Sequence, residues 1–97
     1  MKDSAHHRAR FPMGTTAITP AAQAMLEQAG LSPVALLDRH VRGDWGELEP
    51  ADRARNELAL LSGKRLLSSY VIPGSGTVWI ITEADRSITT ILLPEDY

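Results

Sequence analysis

Cysteine is absent from the 97-residue chain, which excludes a disulfide framework, a thiolate nucleophile and a cysteine-ligated zinc site. Long hydrophobic runs are absent too, since none approaches the ~20 apolar residues that a membrane helix needs. The N-terminus also lacks the apolar core of a signal peptide. We therefore expect a cytoplasmic protein that has no membrane partner.

Motifs that name a reaction are also missing. The chain contains no phosphate-cradling glycine loop, no His-Glu-x-x-His, no Gly-x-Ser-x-Gly and no zinc-ligand spacing. The glycine-rich stretch 73–76 reads as a hairpin tip, because no helix follows it. The sequence therefore predicts no cofactor and no metal site.

The charge balance is mildly acidic, with 10 basic and 12 acidic residues and a net charge of −2. Nucleic acid is not an expected partner, since phosphate contacts dominate affinity for nucleic acids. A composition of 43% apolar and 23% charged residues is ordinary for a globular protein of one domain.

Three strands in succession are the clearest signal in the chain: Arg65–Ile72, Thr77–Thr82 and Ser87–Leu93. They are rich in Val, Ile, Thr, Tyr and Trp. The four-residue connections favour an antiparallel meander, because a parallel return needs a dozen residues or more. No strand is apolar on one side only, so we expect helices on one sheet face and partial cover, such as a second copy, on the other.

Three short helices precede the meander, and each opens with a proline at its first position. Thr19 caps the first and Ser32 the second, and Pro50–Ser62 forms the third. A short strand within Phe11–Thr19 could add a fourth strand to the sheet. The fold class is therefore α+β in the order β-α-α-α-β-β-β.

Apolar periodicity predicts which helix residues are buried. The predicted stripes are Ala22, Met25, Leu26 and Ala29 in the first helix, Val34, Leu37 and Val41 in the second, and Ala54, Leu58 and Leu61 in the third. Residues 1–10 are polar and aperiodic, and we expect them to form a disordered arm. Residues 11–97 then form a single domain.

Candidate binding residues lie in two polar turns. Asp44, Glu83 and Asp85 are turn carboxylates that either do acid–base work or bond to their own nearby backbone. Arg86 either clamps a phosphate or carboxylate or makes an ion pair within its turn. Trp45 either docks into the core, which we favour, or anchors a partner.

His40 is the one histidine within a predicted helix. It could act as a general base near pH 7, or it could stabilise the C-terminal end of its helix. We expect it to lie apart from Glu83 and Arg86, and a pocket joining the three would favour catalysis.

Several stretches resemble a family of short proteobacterial proteins found on plasmids, phages and integrated elements, some labelled "plasmid-related protein" or named as restriction–modification subunits. The matching stretches are Leu36–His40, Gly43–Gly46, Arg65–Ser68, Trp79–Ser87 and Thr89–Pro94. A methylation subunit needs two domains that 97 residues cannot hold. The resemblance implies a mobile-element setting of unknown function.

Two hypotheses follow. In the first, the protein is a mobile-element accessory protein, such as an anti-defence or regulatory inhibitor, which binds a host or element protein through Asp44, Trp45, Glu83, Asp85 and Arg86. In the second, it is a small metal-independent RNA-cleaving toxin that uses His40, Glu83 and Arg86, an analogy of fold and residue type.

Overall fold

The computed structural model describes residues 8–97. Its elements, in chain order, are β1 (Thr15–Ile18), α1 (Pro20–Ala29), α2 (Pro33–Val41), α3 (Pro50–Ser62), β2 (Leu66–Ile72), β3 (Gly76–Thr82), β4 (Ile88–Leu92) and a short 3-10 helix (Pro94–Asp96). The predicted α+β class and element order are confirmed. The terminal 3-10 helix is an addition that the sequence reading lacks.

The sheet has four strands in the order β1-β4-β3-β2. The meander β2-β3-β4 is antiparallel, as predicted. β1 supplies the fourth strand but runs parallel to β4, with Thr16 opposite Thr89. The sheet is therefore mixed, because the long helical segment between β1 and the meander brings the chain back in the parallel sense.

Side-chain caps begin the first two helices as predicted. Thr19 Oγ1 accepts a hydrogen bond from the Ala22 N–H at 3.2 Å, and Ser32 Oγ accepts one from Val34 at the same distance. Glu49, which precedes α3, makes no such bond. Local capping chemistry therefore accounts for where α1 and α2 start.

The main core lies between the helices and one face of the sheet. Ala22 and Leu26 of α1 and Leu36 of α2 pack against alternate residues of the strands. The strand residues in this cluster are Tyr70, Ile72, Val78, Ile80 and Ile91, and Leu93, which directly follows β4, belongs to it as well. Met25 and Ala29 pack at its margin, so the stripe predicted for α1 is confirmed.

The opposite face of the sheet is partly covered by the chain's own C-terminal end. The Tyr97 ring meets the Trp79 ring edge-on, with centroids 6.0 Å apart, and its hydroxyl accepts a hydrogen bond from Arg65. Ile81 and Leu92, which point to this face, are buried. Val71, on the same face, stays 54% exposed, so the chain's own cover is partial.

The buried faces of α2 and α3 differ from the predicted stripes. In α2 the buried residues are Leu36, His40 and Val41, while Val34 is 69% exposed. In α3 they are Asn56 and Ala59. Val34 and the whole predicted stripe of α3, which are Ala54, Leu58 and Leu61, are exposed, so these assignments to the core are wrong.

Asn56 decides the orientation of α3. Its amide nitrogen donates to the Leu67 carbonyl at 2.6 Å, and its amide oxygen accepts from the Leu67 N–H at 3.1 Å. β2 is an edge strand, so these two backbone groups would otherwise lack partners. Turning Asn56 towards the strand rotates the leucine stripe of α3 away from the core.

The rest of this edge is closed in the same way. The Ser69 N–H donates to the Trp45 carbonyl at 3.0 Å, and the Ser69 carbonyl accepts from the Glu47 N–H at 2.7 Å. The Val71 N–H donates to the Glu47 carboxylate at 3.0 Å. Covering an edge is a recognised means of preventing strand-to-strand association.

Asn56→Ala is expected to lower the free energy of unfolding by about 1–3 kcal/mol, because it leaves both backbone groups of Leu67 unpaired. The measurement is urea denaturation followed by circular dichroism. Arg53→Ala, at an exposed position of the same helix, is the control and should stay within about 0.5 kcal/mol of the wild type. Equal stability of the two variants would contradict this role of Asn56.

The predicted disordered arm lies mostly outside the described residues, which begin at Arg8. Arg10, its last residue, is held against the fold. Its backbone N–H donates to the Val41 carbonyl at 2.7 Å, and its guanidinium contacts both carboxylate oxygens of Glu57 at 3.1 and 2.8 Å. The ordered part of the chain thus includes Arg10.

Candidate functional site

Asp44 makes local contacts that shape its turn. Its carboxylate accepts hydrogen bonds from the Arg39 guanidinium at 2.7 and 3.2 Å and from the Gly46 N–H at 3.3 Å. These contacts hold the pKa of Asp44 below its usual value, the Arg39 bond contributing most. A carboxylate that is ionised and paired in this way stabilises the turn rather than transferring protons.

The turn between β3 and β4 is built in a similar way. Asp85 Oδ1 accepts from Ser87 N at 3.0 Å and from Ser87 Oγ at 2.6 Å, which lowers the pKa of Asp85. Glu83 is half-exposed and lies 3.6 Å from the Arg65 guanidinium. Of the three turn carboxylates, only Glu83 lines the groove that lies between this turn and α3.

Arg86 joins this turn to the end of α3. One guanidinium nitrogen donates to the carbonyls of Lys64, Glu83 and Ala84 at 2.7, 3.1 and 3.2 Å, and the other donates to Ala59 at 3.2 Å. Its backbone has a φ of 63°, in the left-handed region that non-glycine residues rarely adopt. The side chain thus donates to four backbone carbonyls, and within residues 8–97 it makes no ion pair with the carboxylates of its turn.

His40 belongs to a buried chain of hydrogen bonds. Its Nδ1 lies 2.6 Å from Ser68 Oγ, and its Nε2 lies 2.9 Å from Thr82 Oγ1. Thr82 Oγ1 in turn lies 2.7 Å from Thr89 Oγ1, which donates to the Met13 carbonyl at 2.8 Å.

The Met13 carbonyl can only accept, and this sets the direction of the whole chain. Thr89 donates to Met13, so it accepts from Thr82, and Thr82 accepts from the N–H of His40 Nε2. The unprotonated Nδ1 then accepts from Ser68. We infer that His40 is the neutral tautomer that carries its proton on Nε2.

This environment does not favour the catalytic role considered for His40. The side chain is 0% exposed, and burial, assisted by the positive charge of Arg86, lowers its pKa to about 4. Both ring nitrogens have partners within the fold, so neither is within reach of a substrate at the surface. The geometry therefore gives the nuclease hypothesis no support.

His40 shares one neighbour with the polar turn between β3 and β4. The centroid of the Phe11 ring is 5.2 Å from that of the imidazole and 5.7 Å from the guanidinium carbon of Arg86. Thr82, which His40 contacts, directly precedes Glu83. The separation expected between His40 and both Glu83 and Arg86 stays a prediction, and these contacts are packing and backbone adjacency rather than a shared pocket.

Trp45 is buried, with 4% of its surface exposed, and the favoured docking interpretation is confirmed. Its ring stacks on Phe11 at a centroid distance of 6.2 Å and meets His40 edge-on at 5.8 Å. Its Nε1–H donates to the Glu57 carboxylate at 2.9 Å. It anchors a second core cluster with Phe11, Val41, Ala59 and Leu66.

An open groove of about 1010 Å³ lies between the C-terminal half of α3 and the turn at Glu83. Its apolar lining comes from Leu58, Leu61, Ala59 and Ala84. Leu58 is 66% exposed and Leu61 is 87% exposed, the highest value among the large apolar side chains of residues 8–97. Two leucines on one exposed helix face are typical of a surface that another molecule covers.

Charged side chains line the same groove. Arg55 is paired with Asp52 at 3.0 Å, and Arg65 with Glu83 at 3.6 Å. Lys64 is exposed, and its ammonium group has no partner among the described residues. The groove therefore combines apolar residues with one uncompensated cation.

The sequence reading missed this groove, because it assigned Leu58 and Leu61 to the core. A signal was present in the run Leu58-Ala59-Leu60-Leu61, whose apolar residues span more than one helix face. A short helix that packs on one side cannot bury all of them. Of the binding residues predicted from the turns, the groove includes only Glu83.

Comparisons of the chain with protein-family models, with curated proteins and with solved structures find no match. Within residues 8–97, no helix combines the length and the apolar character needed to cross a membrane. The groove beside α3 is therefore the feature from which a function can be inferred.

Proposed function

We propose that this protein is a small binding module that acts by contact with another protein through the groove beside α3. The observation that carries the proposal is the exposure of Leu58 and Leu61, 66% and 87%, within one groove. Burying two such side chains on binding would contribute about 1.5–3 kcal/mol each. This is a substantial contribution to the stability of a complex, of the size typical of interface anchors.

The groove also has rigid walls, which favours binding without a large ordering cost. Arg86 ties the turn to the carbonyls of Ala59 and Lys64, and Asn56 ties α3 to the edge of β2. Both connections join elements that are distant in the sequence, so the groove is part of the folded scaffold.

The proposed setting is a mobile genetic element, in which the protein would act as an accessory, anti-defence or regulatory inhibitor. The sequence resemblance supports this setting, and the groove supports the binding role. A binding module of this kind needs no catalytic residue, in keeping with the structural roles of His40 and Arg86 described above.

The variant Leu58→Gln/Leu61→Gln tests the proposal. We expect it to fold with a stability within about 0.5 kcal/mol of the wild type, because both side chains are exposed. The tagged protein is used to capture partners from a proteobacterial lysate, and each captured protein is then purified and tested directly by calorimetry. The double variant is expected to lose the partner.

The matched control is Val34→Gln, which replaces an apolar side chain of similar exposure on α2, outside the lining of the groove. It is expected to retain the partner. Equal capture and equal affinity for the wild type and the double variant would contradict binding through this groove.

A further inference from the structure

The exposed residues of α3 have the spacing of a helix-packing seam. Ala54, Leu58 and Leu61 follow one another at i, i+4 and i+7 and lie on one exposed face. Such a row of side chains forms a ridge that packs into the groove of a second helix. The shape of the surface thus suits a helix laid along α3.

The neighbouring backbone disfavours the other common mode, in which a partner adds a strand. The edge of β2 beside α3 is occupied at Leu67 by Asn56 and at Ser69 by the segment from Trp45 to Glu47. A partner strand would find these donors and acceptors already bonded. A helix satisfies its own backbone and needs only side-chain contacts.

The charges select among helical partners. Arg55 and Arg65 each have a carboxylate partner, which leaves the Lys64 ammonium as the charge of the groove that no group within residues 8–97 compensates. A partner carboxylate placed near Lys64 gains an attractive interaction, whereas a partner cation placed there is repelled. A second copy packed through the same groove offers no unpaired carboxylate from its own lining, since its Glu83 is paired with Arg65.

We propose, on the basis of the binding role above, that the groove receives an acidic amphipathic helix of a partner protein. Its apolar face covers Leu58 and Leu61, and an Asp or Glu near one edge of that face pairs with Lys64. The affinity then depends on apolar contact and on the sign of the partner's charge.

Two synthetic peptides of about 18 residues, long enough to form a helix, test this inference. Both carry leucines at i, i+3, i+4 and i+7, and their polar faces are rich in Glu in one peptide and in Lys in the other. Binding of each labelled peptide to the full chain is measured by fluorescence anisotropy. We expect the Glu peptide to bind at least about fivefold more tightly at low salt, and the difference to shrink at about 0.5 M salt.

Variants of the protein separate the electrostatic contribution to peptide binding from the apolar one. Lys64→Glu should reverse or abolish the preference for the Glu peptide, and Leu58→Gln/Leu61→Gln should weaken its binding at least about tenfold. Val34→Gln serves again as the control and should leave binding unchanged. Circular dichroism of each variant confirms that the fold is intact.

Other outcomes would overturn the inference. They are the absence of saturable binding by the Glu peptide, equal or tighter binding of the Lys peptide, binding only to vesicles that contain an anionic lipid, or dimerisation in solution that buries Leu58 and Leu61. If both peptides bind equally and both lose affinity in the double leucine variant, the groove remains a protein-binding site and only the acidic character of its partner is refuted.

Discussion

Trp45→Ala is expected to lower the free energy of unfolding by about 3–5 kcal/mol, the range typical of truncating a large buried aromatic residue. The ring lies at the centre of the second core cluster, against Phe11 and His40, and its indole N–H is bonded to Glu57. The truncation removes the ring contacts and leaves a cavity beside a buried imidazole. Urea denaturation followed by circular dichroism measures the loss.

Two further variants make this test specific. Trp45→Phe keeps an aromatic ring but loses the bond to Glu57, so its loss should be clearly smaller. Trp79→Ala removes a partly exposed ring on the opposite sheet face, where the ring meets Tyr97, and should also cost less. A stability change of less than about 1 kcal/mol for Trp45→Ala would contradict a core role for this residue.

The stability of the protein is expected to fall by about 3 kcal/mol between pH 6.5 and pH 4 because of His40 alone, given ~1.4 kcal/mol for each unit of pKa difference. The unfolded chain takes up a proton on this imidazole as the pH falls through about 6.5, whereas the folded protein resists until about 4. Protonation therefore favours the unfolded state throughout this window. The contribution is fully present above pH 6.5 and lost once the pH has fallen below 4.

The physical causes are burial and, secondarily, the positive charge of Arg86, which also contacts Phe11. Protonation would also give the ring a second N–H, at Nδ1. This N–H would face the Ser68 hydroxyl, which donates to Nδ1 in the neutral state, and would disrupt the hydrogen-bond chain.

Urea denaturation at several pH values between 4 and 7 measures this effect. The comparison is with His40→Gln, whose amide does not titrate, so the difference in slope between the two proteins isolates His40. Proton NMR titration of wild-type His40 provides a second measurement, in which its signal is assigned by its absence from the variant. Equal slopes, together with a His40 pKa near 6.5, would show that the imidazole is accessible to water.

Most of the fold followed from interactions between near neighbours in the sequence. The caps at Thr19 and Ser32, the proline that opens each helix and the four-residue turns of the meander act over a few residues. These features can be read from the chain because their partners are adjacent in it. The local backbone bonding considered for Asp44 and Asp85 is present in their turns.

The faces of the helices could not be read in this way. Periodicity put Leu58 and Leu61 in the core, because it counts apolar residues and cannot weigh an amide that satisfies a distant strand. Asn56 bonds with Leu67, 11 residues away, and this pairing turned the leucines outward. The groove, which is the best candidate site, exists because of that rotation.

The sequence by itself determined the type and order of the α-helices and strands, because capping, turn formation and alternation depend on residues a few positions apart. The tertiary structure decided that β1 runs parallel to β4, that His40 is buried between Ser68 and Thr82, and that Arg86 donates to the carbonyls of Lys64 and Ala59. In each of these cases the partners are distant in the sequence. The bond between Thr89 and Met13, which continues the hydrogen-bond chain of His40, joins residues 76 positions apart. Only the packing of those elements brings such groups within bonding distance, and it also determines which apolar residues remain exposed.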